Sequence, residues 1–88
     1  MILVQEDFLI PEEDKLEINL HDMQVLEAEY YLDKLITTAP SNIKEIVVIH
    51  GYKKGQALLN MVRHHFKHDR IKEKVIPYNK GITLLFLK

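Results

Sequence analysis

The 88-residue chain contains no cysteine, which excludes disulfides, thiolate metal sites and thiol nucleophiles. This composition is compatible with a reducing compartment, and we expect the protein to be cytoplasmic. No apolar run approaches the roughly eighteen residues that cross a membrane, and the N-terminus lacks the basic stretch and long apolar stretch of a secretory signal. We therefore expect neither a signal peptide nor a membrane partner.

The net charge is only −1, but the two halves of the chain carry opposite charges. Residues 1–45 hold eleven acidic and three basic side chains, whereas residues 46–88 hold two acidic and nine basic ones. A basic C-terminal half favours a polyanionic partner such as DNA or RNA. The alternative is that the opposite charges meet across the fold or cover separate solvated faces.

The most informative stretch, residues 45–60, combines a strand, a turn and the start of a helix. Residues 46–49 form an unbroken β-branched run, which predicts a strand that is buried on both faces. A turn with two glycines, Gly51 and Gly55, follows, and then a helix-forming run. Because the first N–H groups of a helix have no partners inside the helix, such a turn is a typical anion site in α/β proteins.

Hydrophobic periodicity predicts six elements in the order β-α-β-α-β-β. Their expected ranges are 16–20, 23–38, 45–50, 56–68, 74–78 and 82–87. Right-handed crossovers make the first strands parallel, and a short turn at residues 79–81 makes the last strand antiparallel to its predecessor. With both helices on one face, we expect an α/β two-layer sandwich with a mixed four-stranded sheet.

Local signals refine the expected ends of these elements. Asp22 is a good N-cap for the first helix, and Pro40 biases the residue before it away from helical geometry. Pro77 places its strand at an edge or near a bulge. Gly81 provides a residue that can take a positive φ in the last turn.

The first thirteen residues are expected to lie outside the domain proper. Two short apolar pieces, residues 2–4 and 8–10, flank an acidic spacer and precede Pro11. We interpret residues 1–13 as an N-terminal arm or peripheral strand that packs on the core or on a second copy in a homodimer. Residues 14–88 then form a single domain.

Two histidines occupy equivalent positions, because His21 and His50 each follow a core strand directly. The C-terminal ends of parallel strands share one sheet edge, where ligands of open α/β sheets bind. Both imidazoles should therefore lie near Lys53 and Lys54 of the glycine turn. Helix N–H groups and lysines can hold a phosphate while a histidine transfers a proton. The alternative is that the histidines only end strands and bond to backbone.

Three ordered pieces of sequence carry a resemblance to a known family. Residues 18–22, with Glu27 and Ala28, are similar to a Leu-Asp-Leu-His-Gly motif followed by Glu-Ala. Residues 47–55 are similar to a strand that ends in His-Gly-x-Gly with another glycine at the helix entry, and residues 81–87 to a final strand opened by glycine. These motifs are those of the small MutS-related (Smr) domain family, and the match runs from about residue 16 to the C-terminus.

The resemblance implies a fold like the C-terminal domain of the third translation initiation factor, and binding to DNA or RNA. For some members it also implies metal-assisted endonuclease (nicking) activity, with Mg²⁺ or Mn²⁺ as the cofactor. His21 and His50 are then the candidate catalytic residues. The candidate nucleic-acid-binding residues are Gly51, Tyr52, Lys53, Lys54, Gly55, Arg63 and Lys67.

The chain departs from the family pattern at three positions. Asn19 replaces an acidic residue, and an amide neither acts as a base nor binds a hard cation as a carboxylate does. Asp22 replaces a glycine and brings a carboxylate that would repel phosphate. Lys53 replaces the middle glycine of the second motif and adds positive charge. Nucleic-acid binding is therefore our main expectation, and the alternatives are a nuclease and a catalytically inactive protein-interaction or dimerisation module.

Basic and aromatic side chains near the second helix allow further interpretations. Basic residues continue beyond Arg63 and Lys67 with Arg70, Lys72 and Lys74. They either extend a phosphate-tracking surface or serve solubility. Tyr52 either stacks on a base or covers the turn.

Three histidines on the second helix also need an interpretation. His64 and His68 have the i, i+4 spacing of a two-ligand metal clamp, but without a third ligand a solvated helix face is favoured. His65 is expected at the border of the inward face of this helix. On the first helix, Tyr31 is expected to be partly buried because it falls beside the apolar stripe.

Overall fold

The computed structural model describes residues 14–53 and 56–88 as a two-layer α/β domain. The elements are β1 (Lys15–Asn19), α1 (Val25–Thr38), β2 (Glu45–Ile49), α2 (Ala57–Asn60, continued by a π-helix over Met61–His65), β3 (Ile71–Val75) and β4 (Ile82–Leu87). The sheet order is β1-β2-β4-β3. Strand β1 is parallel to β2, whereas β2 and β3 are both antiparallel to β4. The predicted mixed four-stranded sheet is confirmed, while the N-terminal arm lies outside the described residues.

The core lies between the helices and one face of the sheet. In α1, Ala28, Leu32 and Ile36 are fully buried at i, i+4 spacing. Truncating such a buried leucine or isoleucine to alanine costs about 2–5 kcal/mol in protein cores. On β2, Ile46 and Val48 are fully buried, but the residues that alternate with them are only half-buried. The expectation of burial on both faces of β2 is therefore wrong for the second face.

Helix α1 begins later than Asp22 would place it. Gln24 occupies the N-cap position and makes no side-chain capping bond, while Asp22 has a φ of +72° in the turn before it. Aspartate is one of the few side chains that tolerate this left-handed region. The predicted N-cap role of Asp22 is wrong, because Asp22 has a left-handed backbone conformation, which glycine adopts more easily than other residues do.

Helix α1 ends as expected, since Ala39 is extended (ψ 136°) before Pro40. The carbonyl groups at this end need donors, because the last turn of a helix has no partners for them. Nη1 of Arg70 donates to the carbonyl oxygens of Ile36 and Ala39, at 2.7 Å each. A basic side chain from the region after α2 thus caps α1.

Helix α2 is shorter than the predicted range 56–68 and widens as it ends. Its last residues form a π-helix, and Phe66 is extended (ψ 132°), so the helix stops at His65. The N–H of Phe66 donates to the carbonyl of Met61 at 2.7 Å, which leaves the carbonyl of Val62 without its α-helical donor. Nζ of Lys74 donates to the carbonyl oxygens of Val62 and Phe66, at 2.8 and 2.6 Å.

Strand β3 also differs from its predicted range of 74–78. It starts three residues earlier and ends at Val75, so Pro77 lies beyond it. Its position at the sheet edge agrees with the expectation from Pro77, and its register against β4 shifts between Ile71 and Glu73. Such a bulge, together with charged side chains, protects an edge strand from pairing with another chain.

Three smaller expectations are also wrong. Gly81 does not have a positive φ; among the described glycines, Gly51 does. His65 is exposed rather than at the core border. Tyr31 is 51% exposed rather than partly buried, and its neighbour Tyr30 is 67% exposed. Within residues 14–53 and 56–88, no helix is long and apolar enough to cross a membrane.

Candidate functional site

The turn after β1 presents the imidazole of His21 to solvent. The side-chain oxygen of Asn19 accepts the N–H of His21 at 2.9 Å, and the carbonyl of Leu20 accepts the N–H of Met23 at 3.0 Å. Asp22 completes the turn with its left-handed backbone. The side chain of His21 is 47% exposed. The side chain of Asn19 therefore shapes this turn.

The ring of His21 is oriented by its neighbour. Nδ1 of His21 lies 3.1 Å from Oδ2 of Asp22. Because a carboxylate only accepts hydrogen bonds, Nδ1 carries the proton and Nε2 is the acceptor nitrogen of the neutral ring. His21 can therefore accept a proton through Nε2.

The turn after β2 holds His50 in the interior instead. His50 is 3% exposed, and the carbonyl of Gly81 accepts the N–H groups of both His50 and Gly51, at 2.9 and 3.0 Å. Nδ1 of His50 lies 2.8 Å from the carbonyl of Gly51, and Nε2 lies 2.9 Å from the hydroxyl oxygen of Thr83. Since a carbonyl only accepts, Nδ1 is the protonated nitrogen, and Nε2 accepts from Thr83.

Arg63 extends this buried network from α2. Its Nε donates to the hydroxyl oxygen of Thr83 at 2.8 Å, and its Nη2 donates to the carbonyls of Ile82 at 2.9 Å and Lys80 at 3.3 Å. Burial lowers the pKa of His50, the hydrogen bond to Gly51 opposes that shift, and the charge of Arg63 lowers the pKa further. The surroundings therefore favour a neutral His50.

Gly51 joins the two turns. Its φ is +76°, and a Cβ atom there would lie 2.6 Å from Cδ2 of His21 and 3.2 Å from its Nε2. Both its backbone conformation and its contact with the ring of His21 therefore require glycine. The acceptor nitrogen of His21 lies directly against the turn that follows β2.

Two cavities lie at this sheet edge, and His21 lines both of them. The helix-side cavity, about 320 Å³, is lined by His21, Asp22, His50, Tyr52 and the first residues of both helices. The turn-side cavity, about 220 Å³, is lined by residues that include His21, Gly51, Tyr52 and Lys53. The structure thus brings the two histidines and the glycine turn together, as the strand ends predict.

The other residues predicted for binding are placed differently. Lys53 is exposed, whereas Arg63 uses Nε and Nη2 inside the protein. Lys67 is exposed but lies among residues that line neither cavity. Lys54 and Gly55 lie outside the described residues. The roles assigned to all of these residues stay predictions.

The histidines near the end of α2 do not form a clamp. His68 lies beyond the helix, where Nδ1 accepts the N–H of Arg70 at 3.1 Å. Its Nε2 lies 3.0 Å from the hydroxyl of Thr37 on α1. Both ring nitrogens of His68 are therefore used within the fold. His64 is exposed.

The donors at the site do not fit a protein-held Mg²⁺ or Mn²⁺ ion. Mg²⁺ is usually bound through one or two carboxylates together with waters and substrate phosphates, so a site held by the protein alone needs further oxygen ligands. Asp22 supplies the one carboxylate among the described residues that line the two cavities, and the side-chain oxygen of Asn19 accepts the N–H of His21. Nor do residues 14–53 and 56–88 contain a group of three or more histidine and acidic side chains that could hold a metal.

Sequence reasoning missed two residues of this region. Thr83, which bonds to both His50 and Arg63, was not singled out, although a lone hydroxyl in the apolar run 82–87 is a signal for a buried polar contact. Asn79 was noted only as a turn residue. Its side-chain oxygen accepts the N–H of Gly81 at 2.9 Å, and it also lines the turn-side cavity.

Comparison with known proteins decides the family, because the model of the Smr domain matches residues 18–83. The chain belongs to the Smr domain family. Its fold is similar to the crystal structure of the Smr domain of Thermus thermophilus MutS2, with a TM-score of 0.72 and 22% identity. The match covers 82% of this Smr domain chain and 96% of the other chain. No curated protein matches the sequence.

Proposed function

We propose that this Smr domain binds nucleic acid at the sheet edge where β1 and β2 end, with phosphate groups held at the turn-side cavity. The observation that carries the proposal is the meeting of His21, Gly51, Tyr52 and Lys53 around that cavity. A phosphate there would lie beside the side chain of Lys53, which can donate a charge-assisted hydrogen bond to it. The general association of Smr domains with nucleic acid supports this assignment.

Charge favours the turn-side cavity over the helix-side cavity. Among the described residues, the turn-side cavity has Lys53 and no carboxylate in its lining, whereas Asp22 lines the helix-side cavity. A carboxylate repels phosphate, and a lysine attracts it. We infer that Gly51, Tyr52 and Lys53 contact the ligand, joined by Lys54 and Gly55, which follow in sequence.

Arg63 and Lys67 have different places in this proposal. Arg63 supports the site from within, because its hydrogen bonds to Thr83 and the carbonyl of Ile82 hold β4 against α2. Lys67 is exposed and contributes long-range attraction rather than a contact in the cavity.

A salt titration tests the proposal. We expect the double variant Lys53→Ala/Lys54→Ala to bind oligonucleotides more weakly than the natural chain. Each phosphate contact contributes about 0.7 to the slope of log affinity against log salt for single strands, and about 0.9 for duplex DNA. Losing two contacts should therefore reduce the slope by about 1.4 to 1.8. Fluorescence anisotropy of labelled DNA and RNA at several salt concentrations measures this slope.

The matched control removes two lysines from elsewhere. Lys34 lies on α1, and Lys44 precedes β2 at the end opposite His50. The Lys34→Ala/Lys44→Ala variant has the same net charge as the test variant but should keep most of the affinity and slope. Equal losses in both double variants would mean that only net charge matters. Binding that does not depend on salt would contradict the proposal.

A second candidate function, phosphodiester cleavage, is favoured by the geometry of His21. Asp22 fixes the proton on Nδ1 and leaves Nε2 free to accept one. In such a step, water attacks phosphorus while Nε2 takes its proton, the bond from phosphorus to the leaving oxygen breaks, and that oxygen is protonated by solvent. His50 is buried and bonded through both nitrogens, so we assign it a positioning role.

A nicking assay tests this second function. Nicking of supercoiled plasmid and cleavage of RNA should disappear in His21→Ala, whereas His64→Ala, which changes an exposed histidine at the end of α2, should cleave normally. Equal cleavage by the His21 variant would indicate a contaminating nuclease and reject the assignment.

Location and assembly remain proposals drawn from the sequence. We propose a cytoplasmic protein that forms a homodimer through residues 1–13. Light scattering coupled to chromatography of the full chain measures the assembly, and a monomer at all concentrations would contradict the homodimer.

A further inference from the structure

Packing within the fold does not explain why one tyrosine next to the proposed site is fully exposed. Tyr78 lies between β3 and β4 and is as exposed as a tyrosine in an extended chain, at 103% relative accessibility. Tyr52, in the glycine turn, is 40% exposed. The two tyrosines line one cavity of about 440 Å³ together with Asn79 and Lys80. We call it the aromatic cavity.

The segment that carries Tyr78 is anchored on its C-terminal side. The side chain of Asn79 accepts the N–H of Gly81 at 2.9 Å. The carbonyl of Lys80 accepts a hydrogen bond from Nη2 of Arg63 at 3.3 Å, and the carbonyl of Gly81 accepts from His50 and Gly51. Tyr78 is therefore presented by a turn that is tied to the same network as His50. An anchored, exposed aromatic ring binds at a lower entropic cost than one on a free loop.

The charges around the aromatic cavity match a polyanion. Lys80 lines it, and Lys53 lines the turn-side cavity that shares Tyr52 and Asn79 with it. Among the described residues, no carboxylate lines either cavity. Exposed aromatic rings beside lysines are the usual arrangement of sites for single-stranded nucleic acid, where bases stack on the rings and phosphates lie near the cations.

Tyr30 provides an internal contrast. It is 67% exposed on α1, and the cavity beside it is lined by Glu29 and Asp33 as well as by Lys67. Its ring also lies 6.0 Å from Nζ of Lys34. A strand of phosphates would meet two carboxylates there. Exposure of a tyrosine alone therefore does not make this kind of site; the surrounding charge distinguishes Tyr78 from Tyr30.

We propose that Tyr52 and Tyr78 form a stacking platform for unpaired bases of single-stranded DNA or RNA. The inference rests on the proposed function, because the same strand would place its phosphates at the turn-side cavity beside Lys53. It also specifies the substrate class of that site. In a duplex the faces of the bases are covered by their neighbours, so the platform selects single-stranded segments, including those that flank a branch.

Anisotropy titrations with four probes of equal length test the platform. The probes are a single strand of thymidines, the same backbone with abasic sugars, a uridine RNA and a DNA duplex. Loss of one stacked base costs about 1–3 kcal/mol, so Tyr78→Ala should weaken binding of the thymidine and uridine strands by about fivefold to 140-fold. Binding of the abasic strand and the duplex should not change.

Two further variants keep the test decisive. Tyr78→Trp preserves a stacking face, so it should retain binding, and because the natural chain has no tryptophan its fluorescence should be quenched by single strands. Tyr30→Ala should bind all four probes as the natural chain does. Because Tyr78 and Tyr30 are exposed, urea unfolding midpoints should be the same for all variants.

The outcomes separate this inference from the proposed function. If Tyr78→Ala binds single strands normally, or if the abasic strand binds as tightly as the thymidine strand, the platform is rejected. The phosphate site survives in that case when Lys53→Ala/Lys54→Ala still weakens binding. If no probe binds the natural chain, both are rejected. A loss confined to the uridine or the thymidine strand would restrict the platform to RNA or DNA.

Discussion

The turns after β1 and β2 have the same sequence pattern but opposite surroundings. In both, a histidine follows a core strand and precedes a residue with positive φ, Asp22 or Gly51. The imidazole of His21 is half-exposed and bonds to a carboxylate, whereas that of His50 is buried and bonds to a hydroxyl and a carbonyl. Equivalent positions in a motif can therefore differ in their surroundings: the ring of His21 reaches solvent, whereas both ring nitrogens of His50 are bonded inside the fold.

The largest expected effect is the difference in the free energy of unfolding between variants of the two histidines. His50→Ala leaves the hydroxyl of Thr83 and the carbonyl of Gly51 without their buried partner, which should lower the free energy of unfolding by about 2–4 kcal/mol. His21→Ala should cost less than about 1 kcal/mol because its ring is half-exposed. Urea unfolding measures both. Similar losses in the two variants would show that the turns are equivalent after all.

A smaller loss is expected at the glycine that joins the turns. Gly51→Ala forces a side chain into the left-handed region, at a cost of about 1–2 kcal/mol, and its Cβ must also displace the ring of His21. The matched control is Gly81→Ala, because a Cβ there would lie 3.5 Å from its nearest neighbours, an ordinary contact. Thermal unfolding compares the two. Equal destabilisation would mean that neither the positive φ of Gly51 nor its contact with His21 requires glycine.

Acid should test the buried surroundings of His50. The pKa of His50 is lowered in the folded state, so below the ordinary value of about 6.5 the unfolded chain binds a proton that the folded chain does not. The contribution of the neutral His50 to the free energy of unfolding is fully present above about pH 6.5. It falls as the pH drops toward the pKa of His50 in the folded protein, by at most about 1.4 kcal/mol per pH unit.

Two measurements check this pH dependence. NMR titration of the His50 ring in the folded protein should give a pKa below the ordinary histidine value. Urea unfolding of His21→Asn should retain the loss of stability below pH 6.5, whereas His50→Gln should reduce it. A His50 ring that titrates at or above the ordinary value would contradict the structure of the buried network.

The smallest effect concerns the carboxylate beside His21. Asp22→Asn keeps a residue that tolerates a positive φ and removes a negative charge from the lining of the helix-side cavity. An exposed charge contributes about 0.2–1 kcal/mol, so affinity for oligonucleotides should rise about 1.5-fold to fivefold. The same change should slow any cleavage that depends on His21. Unchanged affinity would place the phosphates away from this turn.

The sequence was a good guide where apolar periodicity decides the structure. The element order and the spacing of Ala28, Leu32 and Ile36 on α1 follow from periodicity. The parallel pairing of β1 with β2 follows from the crossover rule, and the antiparallel pairing of β3 with β4 follows from the short turn between them. The ends of elements were less predictable, because contacts between distant residues set them. The end of α2 depends on Lys74, which follows the helix and takes the carbonyls of Val62 and Phe66.

The site was predictable only in part for the same reason. Strand ends place His21 and His50 at one edge, and that much follows from parallel pairing. The difference in burial does not, because it depends on Thr83 and Arg63, which lie far along the chain and meet His50 only in the folded protein. Similarly, an aspartate such as Asp22 is common both as a helix N-cap and in a left-handed turn, and the sequence alone does not distinguish the two.

The inward use of Arg63, Arg70 and Lys74 affects how this protein should be re-engineered. All three donate to oxygen atoms of the protein itself. The number of basic residues in the sequence is therefore larger than the number of cationic side chains that a polyanion can contact. Neutralising Arg70 and Lys74 to reduce nonspecific adhesion would remove donors from the ends of α1 and α2. Neutralising Arg63 would remove the bonds that tie α2 to β4. Lysines that are added to raise the affinity for a polyanion should be placed at exposed positions, where their ammonium groups do not bond to backbone carbonyl groups.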